Sequence, residues 1–398
     1  MTDLESRFRK ADQIPVSDRW PEILAREPRS EPEQPGPGRR IVVAAFALVL
    51  AVLAVAIAVT ALSPAQTGSI ATLPTVPPLT GDPVITAEIP IPDGHVGGAG
   101  AVGAGSVWVG ISPTHGSSPC HVMRIDLATN EVVAEIPFSN LPGPIAATDD
   151  AVWIASHGAL DRIDPATNRI DASLSLSGRA VSAIAADETA VWAVTIPDSG
   201  PHAGEGTLVR VDPAKATITA EIELGSQVNG YHDEVAIGDG AVWVLGVRWN
   251  EQQNAERGGD LIRVDPATNA IAARIPVGGF HMVVSATDVW VRFPADGIFE
   301  SSDESWSWTR VDVATNEPSA PFAVDDDDGL LLVTPHVLWA VGYDEQQNVR
   351  ATRFDPTTLE VVARSDPIAQ VFTGAVIDAD SGSIWVTTTT DVVRVDIT

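Results

Sequence analysis

The chain has 398 residues, of which 53 are Asp or Glu and 24 are Lys or Arg, so its formal net charge is −29. Residues 1–40 are neutral, and the rest of the chain carries the whole acidic excess. The negative electrostatic field of this excess repels nucleic-acid phosphates, which excludes nucleic acid as a partner. The same charge suits basic partners, cationic ligands or divalent metals; alternatively, it serves solubility alone. The single cysteine, Cys120, excludes an intramolecular disulfide.

The N-terminal region predicts a membrane anchor. Residues 1–40 are polar, and the 22 uncharged residues 41–62 would form a helix about 33 Å long, enough to cross a bilayer core. Arg39 and Arg40 precede this segment, and no Lys or Arg follows it until Arg124. The positive-inside rule therefore places the tail in the cytoplasm and the C-terminal bulk outside. A signal peptide cleaved among the small residues 61–65 is the alternative.

A stalk and a repeat domain follow the predicted transmembrane helix. Residues 63–82 are rich in Pro, Thr, Gly and Ser, lack apolar periodicity, and predict a spacer that holds the next domain off the membrane. The repeats begin at residue 83. The predicted order is a cytoplasmic tail (1–40), a transmembrane helix (41–62), a stalk (63–82) and a repeat domain (83–398).

Two short motifs alternate seven times in the repeat domain. The first is a tryptophan between apolar residues: Trp108, Trp153, Trp192, Trp243, Trp290, Trp339 and Trp385. The second is Arg-apolar-Asp, with Arg124, Arg162, Arg210, Arg263, Arg310, Arg353 and Arg394. Successive tryptophans are 39 to 51 residues apart, close to the period of propeller blades. We expect strand A to precede the tryptophan, strand B to carry the tryptophan, which packs between blades, and strand C to carry an arginine that pairs locally with its Asp.

The turn after strand C and the order of the strands predict the rest of the blade. In six repeats the Asp opens a turn such as Asp164-Pro-Ala-Thr-Asn168, in which Asp can bond backbone N–H groups and Asn tolerates the left-handed conformation. An alternating strand D follows. The last repeat stops after strand C, and residues 84–89 match the missing strand D. The sequence therefore predicts an all-β, seven-bladed β-propeller of four-stranded blades, with an N-terminal strand that closes the last blade.

These repeats resemble those of the YVTN and virginiamycin B lyase-like β-propeller superfamily. The resemblance covers residues 83–398 and rests on the apolar-Trp-apolar strand, on Arg-Ile/Val-Asp-Pro-Ala-Thr-Asn, and on the alternating strand that ends in Ile-Pro-x-Gly. It implies the propeller fold. Resemblance to the lyases of this superfamily would further imply a metal-assisted elimination by a His and a carboxylate on the channel face. No motif in this chain matches those two residues to particular positions.

Loops between strands B and C predict the binding face. The distance from each Trp to its own Arg varies from 9 to 20 residues, and these loops project from the same face as the D–A crossovers. They hold aromatic and acidic candidates: Trp249 and Glu251 in blade 4, Trp306 and Trp308 in blade 5, and Tyr343 and Glu345 in blade 6. Such groups suit a protein, glycan or cationic ligand. Alternatively, the string Glu-Gln-Gln-Asn shared by the loops of blades 4 and 6 records blade duplication, and the rings cover loop edges.

A second candidate site lies where strand A begins in blades 4 and 5. His232, Asp233, Glu234 and His281 precede the tryptophan strands there, which predicts a place at the channel mouth. Histidines and carboxylates together could hold a divalent metal such as Mg²⁺ or Ca²⁺. The alternative is a set of unrelated surface or turn histidines.

The functional prediction follows from the anchor and from the motifs present. The sequence contains no nucleophile elbow, phosphate loop, CxxC or HExxH string. We therefore expect a non-catalytic ligand- or protein-binding module outside the cytoplasmic membrane, and the scarcity of lysine, with two in the chain, indicates a GC-rich bacterial genome. The alternative is a metal-dependent lyase or hydrolase with a site at the channel mouth.

Overall fold

The computed structural model describes residues 81–91, 94–113, 120–138, 142–156, 158–176, 178–197, 206–225, 234–246, 248–249, 255–256, 259–294, 306–322, 330–333, 338–344, 346–355, 359–378 and 380–397. The predicted tail (1–40), the transmembrane helix (41–62) and almost all of the stalk (63–82) lie outside this part of the chain. Across the described ranges the regular elements are strands, and none of them includes a helix that could span a membrane.

The described strands form seven sheets, numbered as blades 1 to 7 in chain order, together with one small hairpin. The strands are β1 (Pro83–Pro90), which belongs to blade 7; β2 (Gly94–Gly103), β3 (Ser106–Pro113), β4 (Cys120–Asp126) and β5 (Val132–Phe138) in blade 1; β6 (Ile145–Ala147), β7 (Val152–Ser156), β8 (Ala159–Asp164) and β9 (Arg169–Ser175) in blade 2; β10 (Arg179–Ala186), β11 (Val191–Pro197), β12 (Gly206–Asp212) and β13 (Thr217–Gly225) in blade 3; β14 (Glu234–Gly238), β15 (Ala241–Leu245), β18 (Leu261–Asp265) and β19 (Ala270–Ile275) in blade 4, with the hairpin β16 (Arg248–Trp249) and β17 (Ala255–Glu256) between β15 and β18; β20 (His281–Val284), β21 (Asp288–Pro294) and β22 (Trp306–Asp312) in blade 5; β23 (Leu330–Val333), β24 (Leu338–Tyr343), β25 (Val349–Phe354) and β26 (Val361–Arg364) in blade 6; and β27 (Phe372–Ile377), β28 (Ile384–Thr388) and β29 (Asp391–Ile397) in blade 7.

The blades close into a ring. Strand A of each blade contacts strand A of the next, and β27 of blade 7 contacts β2 of blade 1. The N-terminal strand β1 pairs antiparallel with the C-terminal strand β29, so it is strand D of blade 7, as predicted. Ile89 on β1 is 6% exposed and packs with Val107 of blade 1 and Trp385 of blade 7. This closure confirms the seven-bladed propeller.

The seven repeat tryptophans form the packing between blades. Each is at most 3% exposed, and each lies directly across from its repeat arginine on strand C. In blades 1, 3, 4, 5 and 7 the guanidinium lies 4.8 to 5.2 Å from the centre of that ring, which adds a cation–π contact. The prediction that these rings are structural is confirmed.

The repeat arginines bind the neighbouring blade, which corrects the prediction of local pairing. In blades 1, 3, 4 and 7 the arginine donates to a backbone carbonyl (2.5–2.7 Å) and to the Asn Oδ1 (2.8–3.1 Å) in the C–D turn of the next blade. Arg394 also bonds its own Asp, from Nε to Asp396 Oδ1 at 2.8 Å. We call each inter-blade contact an Arg–Asn staple. It forms because the turn asparagine faces the preceding blade.

The turn asparagine therefore has two functions. Asn130, Asn168, Asn269 and Asn316 have φ between 55° and 60°, the left-handed conformation that the sequence predicts. In blade 3 the same position is Ala216, with φ of 49° and no side-chain acceptor. Arg162 of blade 2, which faces that turn, still donates to Pro213 O at 2.8 Å, and in place of the asparagine contact it forms an ion pair with Asp171 on its own blade, at 2.6 Å. Where the next blade offers no asparagine, the arginine thus takes a carboxylate on its own blade in its place.

Substitutions at Asn269 are expected to separate these two functions. Asn269→Gly keeps the left-handed turn but removes the acceptor of Arg210, and we expect a loss of about 1 kcal/mol in the free energy of unfolding. Asn269→Ala should cost about 1 kcal/mol more, because a Cβ is strained at this φ. Chemical denaturation of both variants measures the difference. Equal stability of Asn269→Gly and the wild type would show that the staple contributes nothing.

Blade 5 departs from the four-stranded pattern. Its three named strands are followed by residues 317–322, which run beside β22 through isolated bridges at Pro318 and Phe322. Pro318 and Pro321 have no N–H to donate, so this outer segment cannot form a regular ladder. The place of strand D in blade 5 is therefore taken by an irregular segment rather than by a regular strand.

Candidate functional site

Glu234 and His281 meet at one end of the central channel. They are the first residues of β14 and β20, the strands A of blades 4 and 5, on the face that carries the B–C loops. Glu234 Oε1 lies 2.8 Å from His281 Nδ1, and Glu234 Oε2 accepts a hydrogen bond from the backbone N–H of Met282. The His281 side chain is 14% exposed and that of Glu234 30%. The carboxylate thus links two adjacent blades at the channel mouth.

This arrangement bears on the predicted metal ligands. The structure brings Glu234 and His281 together, whereas His232 and Asp233 lie outside the described residues. Both carboxylate oxygens of Glu234 already bond protein groups, so metal binding would require at least one of these bonds to be exchanged. Within the described ranges no group of three or more His, Cys, Asp or Glu is placed to hold a metal ion.

Aromatic and cationic side chains cluster beside this pair on blade 5. The guanidinium of Arg292 lies 4.0 Å from the centre of the Trp306 ring, and Phe280 meets the same ring edge-on, with centroids 6.1 Å apart. His281 contacts Trp308 edge-on at 6.3 Å. We call Phe280, Arg292 and Trp306 the blade 5 platform. Trp306 is half-buried, whereas Trp308 is 1% exposed and belongs to the core between blades 5 and 6.

The other predicted loop residues are only partly described. Tyr343 is half-buried, and its ring lies 5.5 Å from that of Phe372 on blade 7, so it also packs between blades. In blade 4 the backbone of Trp249 pairs with Ala255 in the hairpin β16–β17. The side chain of Trp249 and the residues Glu251 and Glu345 lie outside the described part of the chain.

Asp344 organises the loop of blade 6. It accepts hydrogen bonds from the backbone N–H groups of Gln346 and Asn348, each at 2.9 Å, and it pairs with Arg350 Nε at 2.6 Å. The hydrogen bond from Arg350, followed by that from the Asn348 backbone, lowers the pKa of Asp344 to about 2. The Asp-Glu-Gln-Gln-Asn string in blade 6 therefore forms a compact turn anchored by its first residue.

The lowered pKa of Asp344 predicts the response of this turn to acid. A carboxylate whose pKa falls on folding stabilises the turn above its ordinary pKa of 3.8, and that contribution is lost as the pH falls through about 2. We expect the Asn348 amide resonance in NMR spectra to titrate with an apparent pKa near 2. Asp344→Asn should remove this transition. A titration near the ordinary value would contradict the structure of the turn.

The sequence patterns did not identify Phe280 or Arg292 as members of this cluster. Arg292 follows Trp290 by two residues and so lies on the same face of β21, and it is the cationic residue in an otherwise apolar Val-Trp-Val-Arg-Phe string. A charged residue within a buried strand is the sequence signal that could have identified Arg292 as a site residue. Phe280 lies just before β20, and its contact with Trp306 crosses from strand A to strand C, which no local pattern reveals.

Comparison with known proteins shows the fold alone. The sequence matches no protein-family model and no curated protein. The WD40 domain of Neurospora crassa Pan2 is similar in structure, with a TM-score of 0.60 and 9% identity over 80% of this chain and 98% of that one. Hydrazine synthase of Kuenenia stuttgartiensis is also similar, with a TM-score of 0.57 and 13% identity over 75% of this chain and 95% of that one. At these identities the likeness establishes the seven-bladed propeller and leaves the YVTN and virginiamycin B lyase-like resemblance as an expectation.

Proposed function

We propose that this chain is a bacterial, single-pass membrane protein whose extracytoplasmic propeller is a non-catalytic module that binds a protein or glycan ligand. The uncharged segment 41–62, with arginines on its N-terminal side only, supports the anchor and its orientation. The acidic excess beyond residue 40 disfavours anionic partners. The ligand is bound on the face of the B–C loops, and it contacts the blade 5 platform.

The stacked pair of Arg292 and Trp306 carries this proposal. Tryptophan and arginine are the residues that most often dominate binding energy at interfaces. The 4.0 Å stack holds the guanidinium in place before a ligand arrives, which reduces the entropy lost on binding. The ring can stack on a sugar or an apolar side chain, while the guanidinium adds a positive charge that attracts a carboxylate or carbonyl. The two groups together provide an anchor without catalytic chemistry.

The proposal is tested with the full-length chain on peptide and glycan arrays. We expect saturable binding to members of one of these classes, and a loss of at least about tenfold in affinity for Trp306→Ala and for Arg292→Ala. Glu188→Ala is the control, because Glu188 is exposed in the A–B turn of blade 3, on the opposite face. Binding that Trp306→Ala leaves unchanged, or no binding to either array, would contradict the proposal.

The contact between Glu234 and His281 favours a second candidate, a metal-dependent lyase or hydrolase. A carboxylate that bonds one ring nitrogen of a histidine orients the other, as is common around metal ions and catalytic bases. In this candidate, His281 with His232 and Asp233 would bind Mg²⁺ or Ca²⁺ at the channel mouth. The metal would polarise the substrate, and Glu234 would hold His281 in position.

Metal titration separates the two candidates. If the propeller is a binding module, the melting temperature of the full-length chain is expected to stay constant with Ca²⁺, Mg²⁺, Mn²⁺ and Zn²⁺. A metal enzyme would show a saturable rise that His281→Ala abolishes, because a ligand that binds only the folded state stabilises it. His121→Ala, a change at a half-buried histidine of blade 1, is the matched control and should leave any rise intact.

A further inference from the structure

One position in the outer strands distinguishes blade 5 from its neighbours. In blades 3, 4 and 7 the residue before the last buried isoleucine of strand D is charged and long: Glu221, Arg274 and Glu88. Arg274 of blade 4 reaches the end of strand D of blade 3 and donates to Leu224 O at 3.1 Å. Glu221 of blade 3 accepts from Arg179, the first residue of strand A of the same blade, at 3.0 Å. In blade 4 this side chain therefore reaches across the junction with the preceding blade.

Proline takes this position in blade 5. Pro321 precedes Phe322, whose pairing with Trp308 corresponds to the pairing of Ile275 with Leu261 in blade 4. The proline ring is short and has no donor, so it cannot reach blade 4 as Arg274 reaches blade 3. A cavity of about 340 Å³ remains at this junction. Its lining includes Val277 on the crossover and Phe293 on β21.

The lining of this cavity defines the chemistry of its ligand. Its described lining residues carry no ionisable side chain and are mostly apolar, whereas the cavity of about 290 Å³ at the corresponding junction of blade 7 is lined by Glu88 and Asp391. The polar side chains are Thr309 and Ser319. Thr309 Oγ1 donates to Ser319 O at 3.0 Å, and Ser319 Oγ donates to Ala320 O at 3.0 Å. Both hydroxyl protons are used in these hydrogen bonds, so the two oxygens can only accept a hydrogen bond from a ligand.

We propose that the junction between blades 4 and 5 binds a neutral, largely apolar small molecule that donates a hydrogen bond to Thr309. The volume lies in the range of small-molecule sites, and an apolar wall with few polar groups is typical of them. A charged ligand would lose hydration without gaining a partner. This site is separate from the blade 5 platform and does not depend on the function proposed above.

Indole and 1-methylindole form the test pair, because both are neutral and apolar but only indole carries an N–H donor. Their binding to the full-length chain is measured by calorimetry and by saturation-transfer NMR. We expect saturable binding of indole, and binding of 1-methylindole about fivefold weaker. Thr309→Val should weaken indole by a similar factor and leave 1-methylindole unchanged. Valine suits this position because Val209 and Val393 occupy it in blades 3 and 7.

Pro321→Arg tests the location of the site. It restores the residue that blade 4 carries at the same position, so the side chain should fill the cavity and weaken indole at least about tenfold. Pro321→Ala leaves the cavity open and should retain binding, and thermal melts of both variants check that the fold is kept. The proposal is overturned if indole does not bind the wild type, if Pro321→Arg binds it normally, or if 1-methylindole binds as tightly as indole.

Discussion

Replacement of Ile89 by Asp is expected to destabilise the propeller by at least about 4 kcal/mol or to prevent folding altogether. Ile89 lies on β1, is 6% exposed, and packs against residues of both blade 1 and blade 7. A carboxylate at this position would be buried without a partner at the junction that closes the ring. Because β1 pairs only with β29 in its sheet, loss of this strand leaves the edge of blade 7 open.

Val84→Asp on the same strand is the matched control. Val84 is 42% exposed, so the added charge remains in water and should change the free energy of unfolding by less than about 0.5 kcal/mol. Chemical denaturation followed by far-ultraviolet circular dichroism compares the two variants. If Ile89→Asp were as stable as Val84→Asp, the N-terminal strand would not close the ring.

Trp243→Ala is expected to cost about 3–5 kcal/mol in the free energy of unfolding. The ring is completely buried between blades 4 and 5, where it packs with residues such as Leu245 and Val291. Its indole N–H makes no hydrogen bond within the part of the chain that the structure describes, so the loss reflects packing and the contact with Arg263. The cavity left behind cannot collapse, because rigid strands surround it.

Trp306→Ala provides the contrast for Trp243→Ala. Trp306 is half-buried on the loop face, so its removal should cost no more than about 1 kcal/mol while it weakens ligand binding. Thermal and chemical unfolding of both variants measure the difference in stability. Equal losses would mean that the repeat tryptophans and the platform tryptophan have the same structural role, and the division between core and site would be wrong.

The fold could be predicted because each blade is specified by sequence signals within its own repeat. The alternating strand after each turn, the Asp that opens the turn and the Asn that reverses it are local features, and seven copies reinforce one another. The match of residues 84–89 to the other strands D also predicted the closure. These features depend on residues close in the sequence, where strand period and turn chemistry are reliable guides.

The contacts between blades could not be predicted in the same way. The staple from Arg210 to Asn269 joins residues 59 apart, and the sequence instead suggested a local partner for the arginine. The platform of Phe280, Arg292 and Trp306 combines two strand residues of blade 5 with one residue that precedes its strand A. Pro321 becomes informative only when its place is aligned with that of Arg274. The staple and the role of Pro321 depend on how adjacent sheets pack, and the platform depends on contacts between distant parts of one sheet; no short motif shows either.

Display of the propeller outside the membrane is tested most directly by labelling single cysteines in intact cells with a membrane-impermeant maleimide. In a Cys120→Ser background, Val133→Cys places the label on an exposed position of blade 1, and Thr2→Cys places it in the predicted cytoplasmic tail. We predict that the membrane fraction contains the protein, that Val133→Cys is labelled in intact cells, and that Thr2→Cys is labelled only after lysis. Labelling of Val133→Cys only after lysis, or recovery of the chain in the soluble fraction, would contradict an anchored propeller that faces outward.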